Sequence, residues 1–356
     1  MNRPIRNSAP LTPRAALLHP WALFPMEFAM IARRCLLALA LATSALGAAP
    51  VAAKPAAVAS GKLDAIPRTV IITAFEPEWV ALEGAVQAPK AYHLNGLTIL
   101  TGKMAGRPVV LLQSGVSMVN AAMNTQLVID RFNARRIVFS GIAGGIDPAL
   151  SVGDVVVADR WAQYMEVALG RKKGDQFISP DIYDDPDHLS NYGMMIPRTV
   201  RVGNAAQPAK RHRWFPADPA LLALAKKSVG GFALERCLPA NEPIPQTRGV
   251  SAEAGRCLDH QPRVSVGGNG ISGPAFADNA EYREYLFAQF KAQVLDMETA
   301  ATAHVAYANQ VPFIGFRSLS DLAGGDSGPN QSWVFGRLAA RNAATVVQRF
   351  VAALPN

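Results

Sequence analysis

From Arg68 to the C-terminus, short apolar runs alternate with segments of helical periodicity, and this alternation restricts the possible folds more than any other feature. The runs at 69–75 (TVIITAF), 108–115, 136–145, 153–161, 263–272, 292–298 and 312–321 are mostly short, β-branched and bounded by Gly, Pro or polar residues, as buried strands are. Helices are predicted between them over 77–86, 117–132, 217–229, 278–290, 297–309 and 334–353. Strands apolar along their whole length need cover on both faces, so the expected architecture is one α/β domain over 68–356, a sheet between two helical layers. LNGLTILTGKMAGRPVVLL adds a hairpin-like pair near its start. Residues 166–262 break the rhythm and are predicted to form an insertion on the sheet. They hold the acidic SPDIYDDPDH, the basic PAKRHRWFP and a Pro/Gly-rich loop. The acidic run lacks the Gly turn and following bidentate Glu of a calcium loop, and reads as a solvated segment.

The N-terminal residues follow a different logic. In MIARRCLLALALATSALGAAPVAAKPA, Arg33 and Arg34 precede an apolar run from Cys35 to Leu46, and Val51-Ala52-Ala53 offers a cleavage site. Residues 1–53 are therefore expected to be a signal peptide with an upstream leader, 54–67 a linker, and the mature protein periplasmic or secreted. A stable membrane anchor is not expected, because the run is short, Ala-rich and closed by Pro50 and Lys54. The whole chain has 35 basic and 27 acidic residues, but beyond residue 53 the balance is 30 to 26. No Lys/Arg stripe or basic–aromatic interleaving remains, which argues against nucleic acid as a partner. Loss of the leader removes Cys35 and leaves Cys237 and Cys257, an even pair in an oxidising compartment. A disulfide is expected to pin the loop between them, with two free thiols as the other reading. His260 is the only histidine nearby, so a zinc site is not expected.

Ligands of α/β sheets bind beyond the carboxyl ends of the strands. Here acids end three strands: AFEPEW carries Glu76 and Glu78, LDMET carries Asp296 and Glu298, and SLSD ends on Asp321. Buried charge is costly unless paired or used, so the carboxylates of LDMET need a purpose. The Gly-rich end SGIAGG lets backbone approach a ligand closely.

FSGIAGGIDPALSVGDVVVAD, followed far downstream by LDMETAATAHVAYANQVPFIGFRSLSD, resembles the nucleoside phosphorylase/nucleosidase superfamily. Within it the likeness is to the 5′-methylthioadenosine/S-adenosylhomocysteine nucleosidases. The resemblance covers roughly 68–165 and 263–353 and implies the nucleoside phosphorylase/hydrolase fold, a central mixed sheet flanked by helices. It further implies a purine nucleoside substrate, no metal or cofactor, and a homodimer in which a neighbouring chain closes the pocket. Glu298 matches the carboxylate that binds the ribose hydroxyls, and Met297 packs on the sugar. Asp296, assigned to the opposite side of the strand, is expected to be a structural partner. Asp321 matches the general acid at purine N7, its proton held by neighbours such as Ser320, and Phe276 matches the aromatic that stacks on the base. Ile142, Ala143 and Gly144, at the Gly-rich end, are further substrate contacts. Pro274 and Ile142 depart from the family pattern, at positions where nucleosidases often carry Asp and Ser.

Glu78 matches the residue that activates water in the nucleosidases. Phosphorylases instead need cations and hydroxyls for phosphate, whereas this chain offers Glu76, Glu78, Phe139 and Ile142. That lining is expected to repel an anion, which favours hydrolysis over phosphorolysis. Two alternatives stay open at this point: a periplasmic purine nucleoside phosphorylase, and a nucleoside-binding or uptake protein of the permease-like branch.

Overall fold

The computed structural model describes residues 61–180, 185, 187–244, 255–326 and 328–355. The leader, its cleavage site and most of the linker lie outside the described residues, as does most of the acidic DIYDDPDH run.

The chain opens with β1 (Arg68–Thr73), α1 (Glu76–Glu83), β2 (Gln87–Leu94), β3 (Leu97–Met104), β4 (Arg107–Gln113), α2 (Met118–Arg131) and β5 (Ala134–Gly145). Next come β6 (Val155–Val157), β7 (Arg160–Gln163), β8 (Val167–Leu169), β9 (Arg171–Lys173), β10 (Gln176–Ile178), β11 (Met195–Pro197), β12 (Val200–Asn204), β13 (Gln207–His212), β14 (Trp214–Pro216) and α3 (Pro219–Ser228). The last stretch contains β15 (Val264–Val266), β16 (Asn269–Ser272), α4 (Ala280–Phe290), β17 (Ala292–Asp296), α5 (Thr299–Ala308), β18 (Phe313–Asp321) and α6 (Ser332–Ala353).

The main sheet is mixed and runs β14-β7-β16-β17-β5-β1-β4-β3-β2, with β18 joined to β5 and β6, and β6 to β15. At its centre β1 lies parallel to β4 and β5, and β18 parallel to β5. Every residue of β1 and β18 is buried, as continuous apolar runs require. Alternation sends successive side chains to opposite faces. Val70, Ile72, Ile137 and Phe139 pack with Val128 and Phe132 of the α2 end and Ala300, Ala303 and Ala306 of α5. Ile71, Val138, Ile314 and Phe316 pack with Leu82 of α1, Leu221 of α3 and Val347 and Phe350 of α6. The three layers are thus α2 and α5, the sheet, and α1, α3 and α6.

Two expected strands are each broken in two. The run at 153–161 becomes β6 and β7, and 263–272 becomes β15 and β16. The β15–β16 break carries Gly267 and Gly268 at φ of 132° and 81°, conformations that glycine adopts without steric cost. The expected hairpin is a three-stranded meander of β2, β3 and β4.

The insertion is less uniform than its composition suggests. Within it β8 pairs β11, β9 pairs β10 and β12 pairs β13, three antiparallel ladders outside the main sheet. Its later part joins the core, because β14 extends the sheet beside β7 and α3 packs on the second face. Cys237 and Cys257 form a disulfide across an extended pair, with Leu238 N–H donating to Arg256 O at 2.7 Å and Leu258 N–H to Arg236 O at 2.9 Å.

Candidate active site

The three acids singled out above meet in one cavity of about 580 Å³ at the ends of β1, β5, β17 and β18, whose walls include Glu78, Glu298 and Asp321. Met297, Phe276, Ile142, Ala143, Gly144 and Ser320 line the same cavity.

Glu78 stands in the first turn of α1, where the helix dipole favours a carboxylate. Its Oε2 accepts from Ala74 N–H at 2.6 Å and its Oε1 from Ile142 N–H at 2.8 Å. One lone pair on each oxygen remains for a ligand. Burial pushes its pKa up, partly countered by Arg317, whose Nη1 lies 3.7 Å from Oε1.

Glu298 occupies the position just before α5. Its Oε1 accepts from Ser117 N–H at 2.8 Å, and its Oε2 lies 3.3 Å from Arg317 Nη2. Ser117 holds that N–H in place with a φ of 85°, unusual for a non-glycine residue and the kind of strain that persists at ligand sites. Burial raises the pKa of Glu298 to about 7, with Arg317 opposing and Asp296 adding to the rise.

Asp296 serves the scaffold as expected, but not by pointing away: residues two apart share a strand face, and Asp296 borders the same cavity as Glu298. It accepts from Ser272 Oγ at 2.5 Å, from the Glu298 and Thr299 N–H groups at 3.0 Å each, and from the Thr299 hydroxyl. Its Oδ2 also meets Arg317 Nε at 2.8 Å. Both carboxylates of LDMET border the cavity, but Asp296 spends its oxygens tying β16, β17 and α5 together, while Glu298 keeps an oxygen towards the cavity.

Asp321 ends β18 and is buried. Ser320 Oγ donates to its Oδ2 at 2.8 Å, and Ala323 N–H and Asn330 Nδ2 donate to Oδ1 at 2.9 and 3.5 Å. Burial raises its pKa, while these donors pull it down. A carboxyl so placed holds a proton more readily than one in water and can pass it to a ligand base. Phe276 is 60% exposed, a large aromatic ring left at the cavity rim rather than used in the core.

The residue that sequence reasoning missed is Arg317. It is 1% exposed and contacts three carboxylates: Glu78, Asp296 and Glu298. Its guanidinium also donates to Ile142 O at 2.9 Å and lies over the Phe139 ring, 4.3 Å from the centroid. The sequence signals only that a lone Arg inside the apolar run PFIGFRSLSD must find partners, not which acids those are. The glycines of SGIAGG make room for this cluster. A Cβ on Gly141 would lie 2.4 Å from Arg317 Nη1 and 2.5 Å from Glu78 Oε1, and one on Gly144 would lie 3.1 Å from Asp321 Oδ1.

Two expectations about the lining are corrected. Phe139 is a fully buried core residue against Arg317 and does not face the cavity. Glu76 is exposed and lines a neighbouring cavity. The anion-repelling character survives with a different origin: one guanidinium sits among three carboxylates, so their combined charge is negative while the carboxylates are ionised.

Buried acids and an exposed aromatic ring around one cavity at the strand ends of a three-layer α/β sheet are the makings of an enzyme acting on a small polar ligand with an apolar part. Comparison with known proteins agrees. Residues 68–353 match the phosphorylase superfamily. A 5′-methylthioadenosine/S-adenosylhomocysteine nucleosidase of Mycobacterium bovis is 30% identical over 278 residues, 78% of this chain and 94% of the relative. One of Bacillus thuringiensis is 29% identical over 260 residues, 73% of this chain and 88% of the relative. The Neisseria meningitidis nucleosidase bound to methylthio-immucillin-A shares the fold at 24% identity and a TM-score of 0.57, over 81% of this chain and 100% of that one. The chain belongs to the phosphorylase superfamily, among the nucleosidases, and is an N-glycosidic bond hydrolase.

Proposed function

We propose that this enzyme hydrolyses purine nucleosides of the methylthioadenosine/S-adenosylhomocysteine kind. The observation that carries the reading is the convergence of Glu78, Glu298 and Asp321 on one cavity, each with a distinct environment. The purine lies between Phe276 and Asp321, which delivers a proton to N7 and makes the base a neutral leaving group. The 2′- and 3′-hydroxyls donate to Glu298, in charge-assisted bonds that fix the sugar beside Met297. Water attached to Glu78 loses a proton to it and adds to C1′ as the N-glycosidic bond breaks. The net negative cluster around Arg317 stabilises positive charge developing on the sugar and disfavours phosphate as the nucleophile. No step draws on a metal or cofactor.

Two further parts of the reading concern setting and assembly. The sequence from Met26 to Ala53 supports export to the periplasm, with a mature N-terminus near Lys54. Val119 and Met123 leave an exposed apolar edge on α2, 78% and 51% exposed, next to Val116 of the cavity wall. A second copy of the chain covering that edge closes the pocket, which supports a homodimer.

The test is purified mature protein with adenosine, inosine and methylthioadenosine in phosphate-free buffer. Free base released from methylthioadenosine supports the reading. Intact nucleoside in every reaction, with or without phosphate, refutes it.

A further inference from the structure

A general acid needs its carboxyl held in one orientation as well as buried, and Asp321 ends a strand where the chain turns away. The turn after β18 lies directly on the start of α4. Asn279 N–H donates to Ala323 O at 3.1 Å. A Cβ on Gly324, whose φ is 89°, would lie only 2.2 Å from Asn279 N, so the close approach requires glycine. Asp278 and Asn279 follow Phe276 of the cavity rim by two and three positions.

One side chain spans this contact. Asn330 does not line the cavity, yet its Nδ2 stands 3.0 Å from Asp278 Oδ1 and 3.5 Å from Asp321 Oδ1. Its own Oδ1 accepts from Ser332 N–H at 3.0 Å, where α6 begins. A backbone N–H can only donate, so this bond fixes which way the amide faces and turns Nδ2 towards the two acids. Asp321 Oδ1 therefore has two fixed donors, the Asn330 amide and Ala323 N–H at 2.9 Å. Its Oδ2 has only the Ser320 hydroxyl at 2.8 Å, and that hydroxyl can turn, because Ala143 O lies 3.3 Å from Ser320 Oγ and can take its hydrogen. Asp326, itself faced by Arg283 and Asp278, adds to the proton affinity of Asp321, and Glu78, Glu298 and Arg317 line the same cavity.

We propose that Asn330 is a positioning residue for proton transfer to the base: it ties Oδ1 of Asp321 to Asp278 and leaves Oδ2 as the oxygen that carries the proton. This deepens the nucleosidase reading above and rests on it. The Asn330 amide donates to the ionised carboxylate, which favours release of the proton once the base is in place. Through Asp278 it also holds the acid and the loop bearing Phe276 in one register, so the ring that stacks on the purine and the proton it receives are placed together. Asn330 touches neither the nucleoside nor the water and acts only through Asp321.

The experiment records the pH profile of kcat for methylthioadenosine in the wild type, Asn330→Ala and Asn330→Asp. Activity falls on the alkaline side as Asp321 loses its proton. Aspartate keeps the acceptor for Ser332 N–H but replaces the amide donors with a second carboxylate facing Asp278 and Asp321, so a residue that merely starts α6 would be silent as Asp. Positioning by Asn330 predicts the reverse. In Asn330→Asp the alkaline limb should rise by about one pH unit, and in Asn330→Ala by about half a unit. Plateau kcat should fall about tenfold in Asn330→Asp with KM little changed. An alkaline limb that fails to rise in both variants overturns the proposal, whatever their kcat. Should the wild type release no base, the nucleosidase reading fails, and ¹³C-carboxyl NMR titration of Asp321 in the ligand-free protein decides the role of Asn330 alone, with the signal assigned by its loss in Asp321→Asn. A titration moved up in Asn330→Asp supports the tie between the two side chains, and an unmoved one overturns it.

Discussion

Arg317 Nη2 lies 3.3 Å from Glu298 Oε2, and both side chains are buried. The same guanidinium holds Asp296 and stands 3.7 Å from Glu78, so one cation fixes both the scaffold and the carboxylates proposed to act on the nucleoside. Arg317→Met removes the cation and leaves three carboxylates facing one another. Loss of one partner from a buried ion cluster costs about 3–5 kcal/mol. The cost should be largest near neutral pH and smaller in acid, where the freed carboxylates take up protons. Urea unfolding of the variant against the wild type at two pH values measures this, and equal stability at both would refute the keystone role of Arg317.

The acids can be separated by isosteric amides. Asp321→Asn keeps the shape but has no carboxyl proton for N7, and should lower kcat about 10²–10⁴-fold with little change in nucleoside affinity. Glu78→Gln should abolish hydrolysis and still bind nucleoside. Glu298→Gln should harm both binding and turnover, because it weakens the bonds to the ribose hydroxyls. Asp296→Asn is the contrasting case: its contacts are with Ser272, Thr299 and Arg317, so its main effect should be on stability. Turnover lost in Asp296→Asn but intact in Glu298→Gln would reverse the assignment of the two.

Much of this was readable before any coordinates. The seven strand runs and six helices follow from apolar periodicity, since each run must be buried and each helix must cover a face. LDMET and SLSD were legible because carboxylates at strand ends have few structural reasons to be there. Arg317 was not, because in sequence a single Arg within a strand carries no sign of how many acids will converge on it. Phe139 and Glu76 were misplaced for a related reason. Proximity to a motif does not say which way a side chain points, and one residue of strand or helical phase moves it from cavity to core or to solvent. The neighbouring cavity that Glu76 lines was illegible altogether, for it joins α1, α6 and the loop after Cys237, which lie far apart in the chain.

The raised pKa of Glu298 makes stability depend on pH in a definite direction. Its carboxyl holds a proton up to about pH 7 when folded, against an ordinary value of 4.5. The folded state therefore binds more protons than the unfolded one between these values. Its stabilising contribution is complete below pH 4.5, falls as pH rises, and is gone above about 7. Glu78 and Asp321, also raised, act in the same sense. Denaturation midpoints should decline across this window in the ligand-free protein, and Glu298→Gln should flatten the decline. A midpoint that rises through the window, or a slope unchanged in the variant, would contradict the assignment.

The disulfide connects the sequence argument about export to the structure. Periplasmic material should begin near Lys54 and yield a single Cys237–Cys257 peptide pair under non-reducing mass mapping. Cys257→Ser should destabilise the protein by about 2–4 kcal/mol, the usual scale for a native bridge. Two alkylatable thiols in periplasmic protein would refute the bridge.

The origin of the oxygen added at C1′ tests the central claim most directly. Methylthioadenosine is turned over in ¹⁸O-labelled water with phosphate present, and the sugar product is weighed by mass spectrometry. Water activated by Glu78 predicts methylthioribose carrying one ¹⁸O at C1 and no phosphate. A sugar 1-phosphate without solvent label at C1 would contradict it and make phosphate the nucleophile.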